Sequence, residues 1–272
     1  AQDLSFINHV LLRKLRKPGT RIIAVGDPCQ AIYGFRGADT SSMETLGKMF
    51  EMRELRLTTS FRCASSIVEN ARWRAPDMRW PDWAKPGLVL HPEAWTADDL
   101  PDGAAIICRN NAPLFRMALR LLRDGKYPEL LGRDIVKSLL AQMKKLGKAK
   151  LTRDEALASL RGWTIASKQR QRDHNLVEDQ AECMRLFIDA TETLGDAMAL
   201  AENVMNRSGR IYLMTGHRSK GLEYETVLFL DSKLCRTDRD QDANIKYVIE
   251  TRAKDKLVYV SSDNFRSARD DE

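Results

Sequence analysis

Short β-rich runs that alternate with helical patterns constrain the fold of this chain most strongly. The helical spacing falls at residues 62–73, 113–123 and 245–254. Such alternation is typical of an α/β protein with a largely parallel sheet. We therefore predict strands at residues 21–26, 104–108, 211–215, 226–231 and 256–261.

Two segments depart from this alternation. Residues 135–206 carry helical patterns without a strand signal, and Thr152 and Glu155 have the spacing of a capping box ahead of one helix. We interpret this segment as a helical insertion in the α/β domain. Its basic cluster, at residues 137–153, is either a solvated helix face or a phosphate-binding surface. Residues 73–101 contain five prolines and predict an ordered but irregular connection.

Composition excludes several classes of protein. Hydrophobic residues make up 43% of the chain, but the longest apolar runs fall far short of the ~20 residues that span a bilayer, so we expect no membrane contact. The five cysteines lie more than thirty positions apart, which predicts no metal site and a reducing, cytoplasmic compartment. A net charge of +6 suits a polyanionic partner without requiring one.

The first informative block covers residues 25–38 and reads VGDPCQAIYGFRGA. Gln30 offers both a donor and an acceptor, which suits sensing a phosphate or a positioned water. Tyr33 and Phe35 offer flat faces for stacking on bases, and Arg36 can hold a phosphate. The alternative is that the aromatic rings are core residues and the arginine is solvated. This alternative is reasonable for a single residue, but it is improbable for the whole string.

A second block, LTTSFR at residues 57–62, precedes an amphipathic helical pattern. Phe61 can stack on a base while the guanidinium of Arg62 holds a terminal phosphate. In the third block, LMTGHRSKGLEY at residues 213–224, His217 can hydrogen-bond DNA, and Gly221 permits close backbone approach to a ligand. Glu223 can accept from ribose hydroxyls, although a lone histidine would more often be structural.

The fourth block, YVIETRAK at residues 247–254, places Arg252 ahead of a predicted strand. Taken alone, Arg252 would best be interpreted as a surface partner of Glu250 or Asp255. In their order and spacing, however, the four blocks resemble the third to sixth motifs of UvrD/Rep-type superfamily 1 DNA helicases. The resemblance extends to Ala1-Gln2-Asp3, which fits the tail of the second motif.

The resemblance has departures as well as matches. Phe35 stands where the family usually has tryptophan, and Phe61 stands where tyrosine is usual. Gly216 replaces a commonly apolar residue. The resemblance implies catalytic roles for Gln30, Arg62 and Arg252, with Arg252 as an arginine finger; nucleotide binding by Phe61, Gly221 and Glu223; and DNA binding by Tyr33, Phe35, Arg36, Thr215 and His217.

The implied fold is an α/β, RecA-like parallel sheet of the P-loop NTPase helicase type. Residues 1–56 would be the C-terminal remnant of a first, incomplete RecA-like domain. Residues 57–134 and 207–272 would form the second, with residues 135–206 as a reduced accessory domain.

The implied activity is ATP- and Mg²⁺-dependent movement 3′ to 5′ along single-stranded DNA, with unwinding at a duplex junction. The sequence has no Gly-x-x-x-x-Gly-Lys-Ser/Thr loop, and an Asp-Glu metal pair would have to precede Ala1. We therefore expect a missing N-terminal helicase half to supply both, and the chain alone to be inactive. Alternatives are a non-catalytic DNA-binding scaffold subunit, against which both arginines and Glu223 argue, or a split subunit completed by another chain.

Overall fold

The computed structural model describes residues 1–171 and 173–267. Its strands form one all-parallel, six-stranded sheet in the order β1-β6-β5-β2-β4-β3. The strands are β1 (Leu88–Leu90), β2 (Ala105–Cys108), β3 (Pro128–Leu130), β4 (Ile211–Thr215), β5 (Tyr224–Leu230) and β6 (Ala253–Val260). This architecture confirms the predicted α/β class with a RecA-like parallel sheet.

Helices cover both faces of the sheet because successive strand residues point to opposite sides. Ile106 of β2 belongs to the core under α4, whereas its neighbour Ile107 belongs to the core under α3 and α10. The helices are α1 (Phe6–Leu15), α2 (Ser42–Phe50), α3 (Ser65–Ala71), α4 (Asn111–Arg123), α5 (Arg133–Leu146), α6 (Arg153–Arg170), α7 (His174–Asp189), α8 (Leu194–Met205), α9 (Gly216–Ser219) and α10 (Asp240–Glu250).

The four helices α5–α8, which separate β3 from β4, share the core of α4 and the sheet. The ring centres of Phe115 on α4 and Phe187 on α7 lie 5.5 Å apart. Thr152 and Glu155 form the predicted capping box at the start of α6. These helices therefore extend the core that α4 forms on one face of the sheet.

The predicted strand at residues 21–26 is wrong, because these residues form no strand. No neighbouring strand pairs with them, and Ile23 and Val25 are 80% and 74% exposed. Conversely, the sequence did not predict β1, inside the proline-rich connection, or β3. The other four predicted strands are confirmed as β2, β4, β5 and β6, within a few residues.

Within residues 1–171 and 173–267, none of the helices combines the length and apolar character needed to span a membrane. In the same part of the chain, no three histidine, cysteine or acidic side chains are grouped so that they could hold a metal ion. The proposed segment 207–272 extends past the described residues at 268–272, and the helical segment 135–206 includes Arg172, which also lies outside them.

Candidate functional site

The loop at residues 220–223, which joins α9 to β5, contacts the first sequence block through Lys220. The Nζ atom of Lys220 donates to the carbonyl oxygen of Gln30 at 2.7 Å and pairs with the carboxylate of Asp3 at 2.7 Å. It also lies 4.9 Å from the ring centre of Tyr33. Sequence reasoning missed Lys220, although it lies inside the third block. This lysine joins residues that are about 190 and 217 positions away along the chain.

The same loop contacts both predicted arginines. The Nε atom of Arg62 donates to Glu223 at 2.8 Å, and Nη1 of Arg252 donates to the carbonyl oxygen of Leu222 at 3.0 Å. Burial, followed by the positive charge of Arg62, lowers the pKa of Arg252 to about 10, so this guanidinium stays charged at neutral pH. The structure thus brings Gln30, Arg62 and Arg252 to one short loop.

Arg252 faces inward in this structure. It is 1% exposed, and its guanidinium donates to the carbonyl oxygen of Val248 at 2.8 Å and to the hydroxyl of Thr251 at 3.1 Å. Within the described part of the chain, no ion pair joins it to Glu250 or Asp255. The structure therefore supports neither a surface salt bridge nor a guanidinium that already projects outward.

The surface around Arg62 and Gly221 is accessible to a ligand. Gly221 has a φ of +87°, which favours glycine, and a Cβ atom there would meet nothing within 4 Å. The ring of Phe61 is 71% exposed. The side chains of Arg62 and Glu223 are 40% and 50% exposed. A ligand with a flat ring and negative groups fits this combination of an exposed aromatic ring and the partly exposed guanidinium of Arg62.

The predicted DNA-binding residues form an aromatic and basic cluster. The ring centre of Phe35 lies 5.3 Å from that of His217, edge to face. The guanidinium of Arg36 lies 5.2 Å from the ring centre of Tyr33 and 5.4 Å from that of Phe35. Thr215, the last residue of β4, is buried and lies at the start of the same α9 turn. The exposed members can stack on bases and contact phosphates.

Burial changes the chemistry of His217. It lowers the pKa of the imidazole to about 4, and the positive charge of Arg109 acts in the same direction. Nε2 is buried and has no hydrogen-bond partner among the described residues. A buried polar atom of this kind is costly unless a ligand or water satisfies it. A ligand could therefore gain a hydrogen bond from the neutral imidazole only if a small movement exposed Nε2.

Helix α10 holds the first block against the sheet domain. Its Asn244 donates to the carbonyl oxygen of Ala31 at 2.9 Å, and Gln241 donates to that of Ile32 at 3.0 Å. Gln30 itself donates to the carboxylate of Asp27 at 2.7 Å. These bonds fix the Gln30 turn to a helix more than 200 residues away in sequence.

The departure at Gly216 has a packing reason. A Cβ atom at this residue would lie 2.7 Å from Cγ2 of Ile245 and 2.9 Å from Cδ1 of Ile249. Only glycine lets the short helix α9 approach α10 so closely.

The chain between β4 and β5 links the two groups of site residues. Thr215 is at the carboxyl end of β4, whereas Glu223 directly precedes the amino end of β5. The two strands are parallel to the β2 strand that lies between them. Residues 216–223 therefore run from the carboxyl ends of the strands back to their amino ends. They connect the aromatic cluster with the two arginines.

Two family models match this chain. One, for the UvrD-like helicase C-terminal domain, matches residues 210–260, and one for the UvrD/REP helicase N-terminal domain matches residues 1–51. Arg252, His217 and Gln30 fall within these ranges; Phe61 and Arg62 fall outside both.

Two curated proteins of the fission yeast Schizosaccharomyces pombe are similar to the chain. F-box DNA helicase protein 1 is 25% identical over 282 residues, which cover 89% of this chain and 31% of that protein. ATP-dependent DNA helicase srs2 is 38% identical over 71 residues, which cover 26% of this chain and 8% of that protein. The chain thus spans less than a third of the length of these relatives.

Proposed function

This chain is UvrD/Rep-like, and we propose that it is the part of an ATP-dependent DNA helicase that contacts both ATP and single-stranded DNA. The observation that carries the proposal is the loop at residues 220–223. It contacts Gln30 through Lys220, Arg252 through Leu222, and Arg62 through Glu223. Two guanidinium groups at one loop suit the recognition of a terminal phosphate, and the backbone carbonyl of Gln30 holds that loop to the first block.

In the proposed nucleotide site, Phe61 stacks on the base and Glu223 accepts from the ribose hydroxyls. Arg62 and Arg252 balance the charge on the γ-phosphate, as arginine fingers do in phosphoryl transfer. For this role the Arg252 guanidinium has to exchange its carbonyl acceptors for phosphate oxygens. Hydrogen bonds between two charged groups are stronger than those to neutral carbonyls, which favours the exchange.

In the proposed DNA site, Tyr33, Phe35, Arg36 and His217 hold a single strand, with Thr215 at the base of the cluster. The segment at residues 216–223 would transmit nucleotide-dependent shifts from the arginines to this cluster. We propose that the resulting motion is 3′ to 5′ translocation, with separation of the strands at a duplex junction.

We also propose the domain division at 1–56, 57–134 with 207–272, and 135–206. The phosphate loop and the Mg²⁺ ligands would come from additional polypeptide that completes the first RecA-like domain. The exposed apolar side chains of Ile23 and Val25 support this, because such side chains are usually covered in a complete domain.

ATP turnover tests the proposal. We expect the 272-residue chain alone to hydrolyse no ATP, because it contains no phosphate-binding loop. In a helicase that joins this chain to a Gly-Lys-Ser/Thr loop, Arg252→Ala should lower the turnover number by about 10³-fold or more while single-stranded DNA still binds. The measurements are phosphate release and oligo-dT binding.

An exposed arginine on α1, Arg13, provides the matched control, and Arg13→Ala should leave turnover unchanged. Phosphate release by the purified chain alone would contradict the expected division of labour. Loss of DNA binding in the Arg252 variant, with turnover retained, would contradict the proposed role of that residue.

A further inference from the structure

We propose that Trp83 forms a clamp with Phe61 and that the two rings hold a nucleotide base between them. Trp83 lies in the proline-rich connection, outside the four sequence blocks and outside residues 1–51 and 210–260, which the family models match. The inference rests on the proposed function in one respect. The ligand is the nucleotide whose phosphates Arg62 would contact.

The two rings face each other on an open surface. Their centres lie 6.0 Å apart, and their planes differ by 28°. Phe61 is 71% exposed and Trp83 is 73% exposed. Large aromatic rings gain most from burial, so a pair left this open favours an apolar, flat ligand.

Stacked ring pairs elsewhere in the protein have centres 4.5 to 5.6 Å apart, and the Phe229–Tyr259 pair, with planes 29° apart, is close to the Phe61–Trp83 geometry. His91 and Tyr259 stack with ring centres 4.5 Å apart and planes within 4°. A base between two rings needs a spacing of about 7 Å, which is twice the usual carbon–carbon contact distance. The rings of Phe61 and Trp83 therefore have to move apart to admit a base between them.

The backbone holds Trp83 from both sides. Before it, Arg79 forms two hydrogen bonds of 2.8 and 2.9 Å with the backbone of residues 58–60. After it, the N–H of Ser65 donates to the carbonyl oxygen of Lys85 at 2.9 Å. Since residues 58–60 also lead directly into Phe61, both rings are fixed to the same backbone framework. A site ordered before the ligand arrives loses less entropy on binding.

The neighbouring charges indicate a nucleotide. Arg62 follows Phe61 directly, and its side chain is 40% exposed. A single ligand with a base and phosphates can therefore contact the clamp and the guanidinium together. The aromatic cluster proposed for DNA is separate, with Phe35 packed against His217 rather than against Phe61. Because the clamp presents only ring faces, we expect it to prefer the larger purine bases through contact area.

Equilibrium titrations of the chain with ATP and with inorganic tripolyphosphate test the clamp. Trp83→Ala should weaken ATP binding about tenfold, the effect of removing one aromatic ring from a stacked base, and leave tripolyphosphate binding unchanged. Trp83→Phe should restore most of the affinity for ATP. Trp80→Ala removes a tryptophan from the same connection and should bind ATP as the unchanged chain does.

Arg62→Ala separates the clamp from the wider nucleotide site, because it should weaken binding of both ATP and tripolyphosphate. Wild-type ATP affinity in Trp83→Ala, with weakened binding in Arg62→Ala, would overturn the clamp and leave the proposed function standing. A Trp83→Ala defect in oligo-dT binding with normal ATP binding would make Trp83 a DNA contact and also overturn it. Absence of ATP binding by the unchanged chain would overturn the clamp, which needs no phosphate loop, and would leave standing the proposed function, which assigns that loop to additional polypeptide.

Discussion

His217 differs chemically from a histidine in water. Its pKa of about 4 means that the imidazole is neutral at pH 7, because burial and the nearby positive charges of Arg109 and Arg36 disfavour its protonated form. A neutral imidazole contacts a DNA phosphate through a hydrogen bond rather than through a full charge. In the proposed DNA site, the contribution of His217 to binding should therefore depend less on salt than that of Arg36.

The lowered pKa of His217 also predicts how stability depends on pH. In the unfolded chain this histidine takes up a proton near its usual pKa of 6.5, but in the folded chain only near 4. The free energy of unfolding should therefore fall as the pH drops from about 6.5 towards 4, by at most about 2 kcal/mol at pH 5 from this residue.

Urea unfolding at pH 7.5 and pH 5 measures this effect. His217→Gln cannot titrate, so the variant should lose less stability than the unchanged chain between the two values. The difference between the two proteins removes the contribution of Glu250, whose pKa burial raises. Equal losses in the two proteins would contradict the assigned pKa.

At the residue scale, local sequence predicted the members of the site but not their partners. For the aromatic, basic and glycine residues of the four blocks, the residue type alone predicts the kind of contact that each can make. Lys220 was missed because its partners, Gln30 and Asp3, come from the other end of the chain. Trp83 was missed because its pairing with Phe61 depends on how the chain returns at Arg79.

Helix α10 holds the first sequence block in place. Asn244 is 3% exposed, and its side-chain amide donates to the carbonyl oxygen of Ala31. Because this turn is buried, the amide supplies the hydrogen bond that water would otherwise supply. An unsatisfied buried carbonyl costs about 1–3 kcal/mol. The order of the Gln30 turn therefore depends on a side chain from the second part of the chain.

Asn244→Ala should loosen this turn. We expect backbone amide exchange at Gln30 and Ala31 to accelerate by roughly tenfold, because the variant leaves buried carbonyl groups unpaired. Hydrogen–deuterium exchange with mass spectrometry measures the change. Arg239→Ala, at the exposed N-cap residue of the same helix, should leave exchange in the turn unchanged. Unchanged exchange in Asn244→Ala would show that other contacts hold the turn.

Length and packing explain which elements were predictable. The strands β2, β4, β5 and β6 lie inside the sheet and read as apolar runs. The outer strands β1 and β3 have only three residues each, too few to give a pattern. Residues 21–26 have a strong strand pattern but no strand beside them, and a strand is stable only when its hydrogen-bonding partner is present.

Across the whole molecule, large exposed apolar side chains concentrate in residues 6–57. They include Phe6, Ile7, Leu11, Leu15, Ile23, Val25, Leu55 and Leu57. Apolar groups of this size on a protein surface usually mark a contact with other polypeptide. This distribution agrees with the proposal that further polypeptide completes the first RecA-like domain.

We therefore expect the purified chain to self-associate as its concentration rises. Replacing Leu15 and Ile23 together by lysine should reduce association, because it places charge on the exposed apolar surface. Analytical ultracentrifugation over a range of concentrations measures this. Leu176→Lys, at an exposed residue on α7, is the matched control and should associate like the unchanged chain. A chain that stays monomeric at high concentration would contradict the expectation.

The short outer strands also limit how copies of this chain can meet. An edge strand can pair with a further strand through its unpaired backbone groups, and repeated pairing of this kind leads to amyloid. Here the edge strands β1 and β3 are three residues long, and β3 starts with Pro128, which has no N–H to donate. Sheet extension is therefore disfavoured on both sides, and aggregates of this chain should be amorphous rather than fibrillar.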